Sequence, residues 1–316
     1  MRSRTQSLFV LLACLAGSSG CGGGSSATSP FNPTPSTSST ANVVPQLGHV
    51  FLLIEENHSF GTMIGNPAMP YLNQLSTRYG LGTQYFANAH PSLPNYFELT
   101  TGQTITLDDN FSGTVSQDNV VRELVGAGKT WKSYIESLPS VGYTGSDVFP
   151  YIKHHNPVAY FSDVVSSPAQ AANMVPFSQF AGDLAAGRLP NYSLIVPNLL
   201  DDAHDCPAAI PSCTDNQKLA AADSWLSTNI APLVNSPMFQ QDGLLIIVVD
   251  EGDVLDFANG GGRVAMLVIS PRSKSGFQST TMYQHQSALR LTLEALGIGT
   301  RPGAAATATG AGEFFQ

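Results

Sequence analysis

Apolar residues run along this chain in separate blocks divided by polar, glycine-rich or helical stretches. "HVFLLIEEN" from residue 49, "NYSLIVPN" from residue 191, "GLLIIVVDEGD" from residue 243 and "RVAMLVISP" from residue 263 are continuous apolar runs that end in polar residues. They read as strands buried on both faces, and "KTWKSYIE" and the shorter "TQYFANA" read as two more. Between them lie helical segments: "PYLNQLSTRYG" with Gly80 as its expected C-cap, "NYFELTTG", "NVVRELVGAG", "FSQFAGDLAAG", the long amphipathic "NQKLAAADSWLSTNIAPLV" and the closing "HQSALRLTLEALG". Strands alternating with helices predict an α/β fold, a three-layer α/β/α sandwich around a mainly parallel sheet. In such sheets, chemistry collects at the carboxyl ends of the strands.

The ends of the chain read differently. "MRSRTQSLFVLLACLAGSSGC" has a basic start, an apolar run too short to span a bilayer and small residues up to Cys21, which predicts an export signal over residues 1–20. Cys21 precedes a "GGGSS" tether, as a lipidated cysteine would, with plain secretion as the alternative. Residues 21–46 form a Gly/Ser/Thr/Pro anchor and linker segment. The folded domain is expected over residues 47–300, and 301–316 reads as a tail, disordered apart from its last few residues.

Composition narrows the classes. Of 316 residues, 42% are hydrophobic and 12% charged, enough apolar material for one large core. The net charge is −9, and removing Arg2 and Arg4 with the signal leaves 12 basic against 23 acidic residues, or −11. That surface argues against a nucleic-acid partner, and membrane contact is expected only through the N-terminal anchor. Cys206 and Cys213, in an exported chain and separated by "PAAIPS", are expected to form a disulfide rather than half of a metal site.

Polar groups gather where the strands end. The first strand supplies Glu55, Glu56 and Asn57; the "VVDEGD" strand supplies Asp250, Glu251 and Asp253; "LLDDAHDC" supplies Asp201, Asp202, His204 and Asp205; His285 opens the last helix. Each cluster alone has an ordinary explanation as a helix cap or a wet surface. Together, carboxylates converging on one edge repel unless a cation holds them. Oxygen donors suit Mg, Ca or Mn, and the imidazoles shift the balance towards Zn or Fe.

"AHPSLPNYFELTTG" places Ser92 at the start of a helix, where backbone N–H groups and the helix dipole favour an anionic phosphoryl group. A serine hydroxyl needs activation by a base or a metal, and no G-x-S-x-G elbow is present. "HPSLPNYFELTTG" and "IEENHSFGTMIGN" resemble the bacterial phosphoesterase family of phospholipases C and acid phosphatase A, within the alkaline phosphatase superfamily. "KTWKSYIESLP", "YIKHHNPVAYF" and "GGGRVAMLVISP" extend the similarity over most of residues 48–298. The resemblance implies Ser92 as the phosphorylated nucleophile, Asn95 as a phosphate binder, and Glu56, Asn57, Asp250 and Glu251 as ligands of a divalent metal. It places His154 and His155 near the phosphate, His155 ahead.

Asp202, His204 and His285 are expected to build a second metal site or to position the leaving group and substrate. Two positions depart from the wider pattern: Gly61 stands where the family commonly has Asp, and Asp250-Glu251 stands where the superfamily has Asp-His, which favours one principal metal. The expected activity is metal-dependent phosphoester hydrolysis by an exported protein, most simply a phosphomonoesterase acting on a small or lipid-headgroup phosphoester. A phospholipase C is the runner-up, and a non-catalytic surface lipoprotein is the alternative of another class.

Overall fold

The computed structural model describes residues 43–316. The expected signal, Cys21 and most of the linker lie outside the described residues. The linker ends earlier than expected: Val44 is buried, and the Leu47 N–H donates to the Ala295 carbonyl at 2.7 Å.

Nine strands make one sheet: β1 His49–Glu55, β2 Gly80–Phe86, β3 Trp131–Ile135, β4 Met174–Pro176, β5 Tyr192–Val196, β6 Gly243–Val249, β7 Arg263–Ile269, β8 Gln278–Ser279 and β9 Tyr283–Gln284. Their order is β4-β3-β5-β1-β6-β7-β2-β8, with β9 also pairing β2. The expected α/β architecture with a mostly parallel sheet holds; β1 runs parallel to β5 and β6, and β3 to β4 and β5. β7 is the exception, antiparallel to both β6 and β2. Only residues 250–262 join β6 to β7, with no crossover helix among them, so the chain turns back along the same edge. β1, apolar from Val50 to Ile54, and β6, apolar throughout, lie side by side at the centre of the sheet.

Helices cover both faces. Ser92–Thr101 packs against the closing helix His285–Ala295, while Pro70–Arg78 packs against Asp215–Asn229. Strand alternation turns neighbouring side chains to opposite faces. Among the described residues no helix is long and apolar enough to cross a membrane.

Four local expectations change. The long amphipathic segment breaks after Asn229 and resumes over Ala231–Val234, because Pro232 has no N–H to continue the ladder. Met174–Pro176, not foreseen as a strand, pairs with β3. Gly80 opens β2 instead of capping a helix; a Cβ built on it would lie 2.5 Å from the Phe314 ring. The same contact shows that residues 301–316 are packed, not disordered. Phe314 is buried against Phe277 and Tyr283, and Glu313 accepts hydrogen bonds from the Ser279 and Tyr283 hydroxyls. The pattern of small residues hid a tail in which Phe314 fills a slot left by a distant glycine.

Candidate active site

β1, β2, β3, β5 and β6 all end at one edge, and so the expected polar clusters meet there. The Ser92 helix begins where the chain leaves β2 and turns back. Its start is built by Asn95, which is fully buried with every hydrogen-bonding group engaged. Asn95 Oδ1 accepts from the Asn88 and Ala89 N–H groups at 3.0 and 3.1 Å, and its Nδ2 donates to the Ala89 and Pro91 carbonyls at 2.8 and 3.1 Å. A side chain so committed has nothing left for a phosphate. Asn95 therefore staples the turn that presents Ser92. Asp109, not singled out from the sequence, accepts the Leu93 N–H at 2.9 Å and steadies the same helix start.

Ser92 is buried, and its hydroxyl donates to Glu56 Oε1 at 2.5 Å, with Glu251 Oε1 at 3.4 Å. Glu56 is the first residue beyond β1; its N–H donates to the Asp202 carbonyl at 3.1 Å. His155, in a short turn beyond β3, lies 2.9 Å from Glu56 Oε1 and 3.5 Å from Asp202 Oδ2, and its ring stacks on Tyr96 of the Ser92 helix. Burial alone would lower the imidazole pKa, but Glu56 and Asp202 outweigh it and raise it. Burial likewise pushes Glu56 up, and the His155 charge and hydrogen bond reverse that and hold it low. The two shifts oppose one another across a 2.9 Å contact, and the serine hydroxyl donates to the same Glu56 oxygen.

The β6 loop supplies the rest. Asp250 Oδ1 accepts from the Asn57 and Glu251 N–H groups at 3.1 and 2.5 Å. Asn57 takes this position with φ of 52°, a left-handed conformation that Asn tolerates better than most residues. Burial, then the charges of Glu56 and Glu251, raise the Asp250 pKa well above the usual range, and burial with Glu56 raises Glu251 too. Glu251 Oε2 sits 2.7 Å from His90 Nδ1, whose Nε2 donates to the Asp256 carbonyl at 2.9 Å. His90 was missed because its partners lie more than 160 residues away; its place two residues before Ser92 was the available signal.

The remaining expected residues separate into those partly exposed at this edge and those buried beneath it. His285 is fully buried. Its Nε2 faces the Asp250 carbonyl at 2.5 Å, so it carries the proton, and its Nδ1 accepts from the Tyr85 hydroxyl at 2.7 Å. Burial lowers its pKa to about 4. With both nitrogens occupied, His285 braces the Asp250 backbone. Asp202 is buried under His155, and its Oδ1 accepts the His204 N–H at 2.9 Å. His204 is partly exposed, with Nδ1 on Asp205 at 2.9 Å and Nε2 free. His154 is also partly exposed, and burial with the neighbouring His155 lowers its pKa to about 4. Cys206 and Cys213 form the expected disulfide, with Cα atoms 5.5 Å apart, in the loop that carries His204.

Among the described residues, no group of three or more His, Cys, Asp or Glu is already disposed as a coordination shell. The donor chemistry nonetheless fits a divalent cation: Glu56 Oε2 and Asp250 Oδ2 are buried beside the serine with no hydrogen-bond partner. Orphaned buried carboxylate oxygens of this kind ask for a cation or a proton. A roomier cavity of about 740 Å³, lined in part by Gln46, Arg290 and Arg301, lies elsewhere and holds none of these residues.

Comparison with known proteins identifies the family. The model of the phosphoesterase family matches residues 66–298. A phosphatidylinositol-3-phosphatase of Mycobacterium tuberculosis is 33% identical over 221 residues, covering 69% of this chain and 68% of that protein. A probable acid phosphatase of Kluyveromyces lactis is 27% identical over 248 residues, covering 76% of this chain and 56% of that protein. Among solved structures, a Vibrio parahaemolyticus protein of the alkaline phosphatase superfamily aligns with a TM-score of 0.56 at 14% identity, over 87% of this chain and 70% of its own. That likeness is one of fold.

Proposed function

The chain belongs to the phosphoesterase family and is at that level a phosphoric ester hydrolase; from that premise we propose that it is an exported, metal-dependent phosphomonoesterase working through a phosphoserine at Ser92. The observation that carries this reading is the Ser92 hydroxyl, at a helix N-terminus, 2.5 Å from a buried carboxylate whose second oxygen has no partner.

Glu56, Asn57, Asp250 and Glu251 would hold the cation, which offsets their mutual repulsion and lowers the pKa of the serine hydroxyl. Ser92 Oγ attacks phosphorus, and the bond to the leaving oxygen breaks on the opposite side. Glu56 takes up the serine proton; His155 keeps Glu56 ionised beforehand. At the helix start the Leu93 N–H is taken by Asp109 and Pro94 has none, which leaves the Ser92 N–H and the helix dipole to favour the phosphoryl oxygens. His204, with a free Nε2 at the rim, protonates the leaving oxygen. It ranks ahead of His154, which is neutral at ordinary pH, and of buried His155. Water then hydrolyses the phosphoserine, releasing phosphate and restoring the hydroxyl.

The curated relatives above carry phosphatase names, which favours a monoester over the diester of a phospholipase C. Residues 1–20 serve as the export signal and Cys21 as the lipid attachment point in this reading. The test is a panel of p-nitrophenyl phosphate and p-nitrophenylphosphorylcholine, with and without chelator, for the wild type and Ser92→Ala. The monoester should be turned over faster, and only by metal-loaded wild type. Turnover by Ser92→Ala would exclude the serine, diester preference would install the phospholipase reading, and an inactive wild type would favour the non-catalytic lipoprotein.

A further inference from the structure

Leu107, Phe149, Val254, Leu255 and Phe257 are large apolar side chains between 63% and 85% exposed, and the topology brings them to the same edge as Ser92. Leu107 lies two residues before Asp109, which holds the start of the Ser92 helix. Phe149 is in the loop beyond β3, ahead of His154 and His155. The other three lie in the loop beyond β6 that also carries Asp250 and Glu251. That loop is inverted relative to an ordinary surface turn. Its carboxylates are used inward: Asp256 accepts from the Ser59 hydroxyl and the Ala258 and Arg263 N–H groups, and Asp253 accepts from the Thr62 hydroxyl. Its apolar side chains face water, with Val254 and Leu255 at the tip and Phe257 edge-on to His90. Exposed apolar groups on several loops at one edge of the sheet mark an interaction surface.

We propose that this rim docks the protein onto a neutral lipid–water interface, with Val254 and Leu255 entering the head-group region. Three separate loops contribute side chains at this edge, which suits a broad, deformable surface better than a peptide laid in a groove. The charges beside the patch set the sign of that surface. Asp108 and Asp147 are exposed on the neighbouring loops, while Lys153 lies over the Tyr160 ring and Lys218 donates to the His204 carbonyl. An anionic membrane would therefore be repelled. The choice of lipid over a protein partner rests on the proposed function, because one loop carries both Asp250-Glu251 and Val254, Leu255 and Phe257, and a lipid phosphoester joins a phosphate to an apolar body.

Full-length protein carrying Cys21→Ser, so that no acyl anchor contributes, should float with phosphatidylcholine vesicles. Val254→Ser/Leu255→Ser should cut that partition by about tenfold or more, since two apolar side chains lose their burial, and should leave p-nitrophenyl phosphate turnover unchanged. Leu255→Trp should blue-shift its fluorescence on the vesicles, and added phosphatidylglycerol should weaken binding. Equal flotation of wild type and the double variant, no flotation of wild type, stronger binding to anionic vesicles, or loss of self-association in place of lipid binding would each overturn the proposal. Vesicle binding is read without turnover, so Ser92→Ala should still float, and failure of the catalytic reading leaves a separate signature.

Discussion

Two groups of buried acids in this protein are built on opposite plans. Beside β3, Asp183 receives Lys132 Nζ at 2.5 Å and the Tyr134 hydroxyl at 2.9 Å, with Arg188 at 3.6 Å from its other oxygen. Burial would raise its pKa, but those partners hold it below the usual range. At the Ser92 edge, Glu56, Asp202, Asp250 and Glu251 share two imidazoles, and oxygens of Glu56, Asp202 and Asp250 have no hydrogen-bond partner. The first group is closed and its return is stability. The second is short of positive charge and of hydrogen-bond donors, a condition that costs stability and leaves room for a cation and an anionic ester.

Substitutions should separate the two plans. The largest effect is expected from Ser92→Ala, with turnover falling more than about a thousandfold while thermal unfolding by circular dichroism stays within about 2 °C. A lowered melting temperature with the same loss would make Ser92 a structural residue. Next is chelation. If a cation holds Glu56, Asp250 and Glu251 together, removing it abolishes activity and, for a site loaded at about a hundred times its dissociation constant, lowers stability by about 2.7 kcal/mol. Calorimetry with and without chelator, followed by readdition of Mg, Ca, Mn, Zn and Fe in turn, reads both effects.

Asp183→Ala should show the reverse pattern, a loss of about 2 kcal/mol in denaturant unfolding with kcat/KM unchanged. Because the folded pKa of Asp183 is depressed, its contribution is full above the ordinary carboxylate range and fades as pH falls through it. Wild type and variant should therefore converge in stability only below the ordinary carboxylate range, as pH falls through the depressed folded value. A gap that stays constant with pH would assign the loss to packing instead.

The smallest effect belongs to Glu55, fully buried on the face of β1 opposite Glu56, with neither oxygen partnered and its pKa pushed well up by burial and then by Asp202. Glu55→Met should raise the stability of chelated protein by about 1 kcal/mol. Unchanged or lower stability would show that this carboxyl has a use of its own.

Much of this was legible beforehand, and the reason is local. Uninterrupted apolar strands ending in acids announce both the sheet and its reactive edge, and Ser92, Glu56, Asp250, Glu251, Asp202 and His155 do meet there. What failed is the direction of individual polar side chains. Asn95 and His285 belong to the right neighbourhood but spend their hydrogen bonds on nearby backbone, a choice that depends on turn geometry and not on residue type. His90 and Asp109 act through partners distant in the chain or looped back over the helix start. The 301–316 tail went astray for a similar reason: the slot for Phe314 is the missing side chain of Gly80, more than two hundred positions earlier.

The turn-back between β6 and β7 has an architectural consequence. Both feet of residues 250–262 stand on adjacent, hydrogen-bonded strands in the centre of the sheet. The stretch between them works like a visor hinged on a rigid frame: its outer span can be recut in length or wettability while Asp250 stays seated. Protein engineers seeking a changed preference among esters should begin there, since no other loop at this edge joins a reactive carboxylate to the outermost apolar residues of the rim.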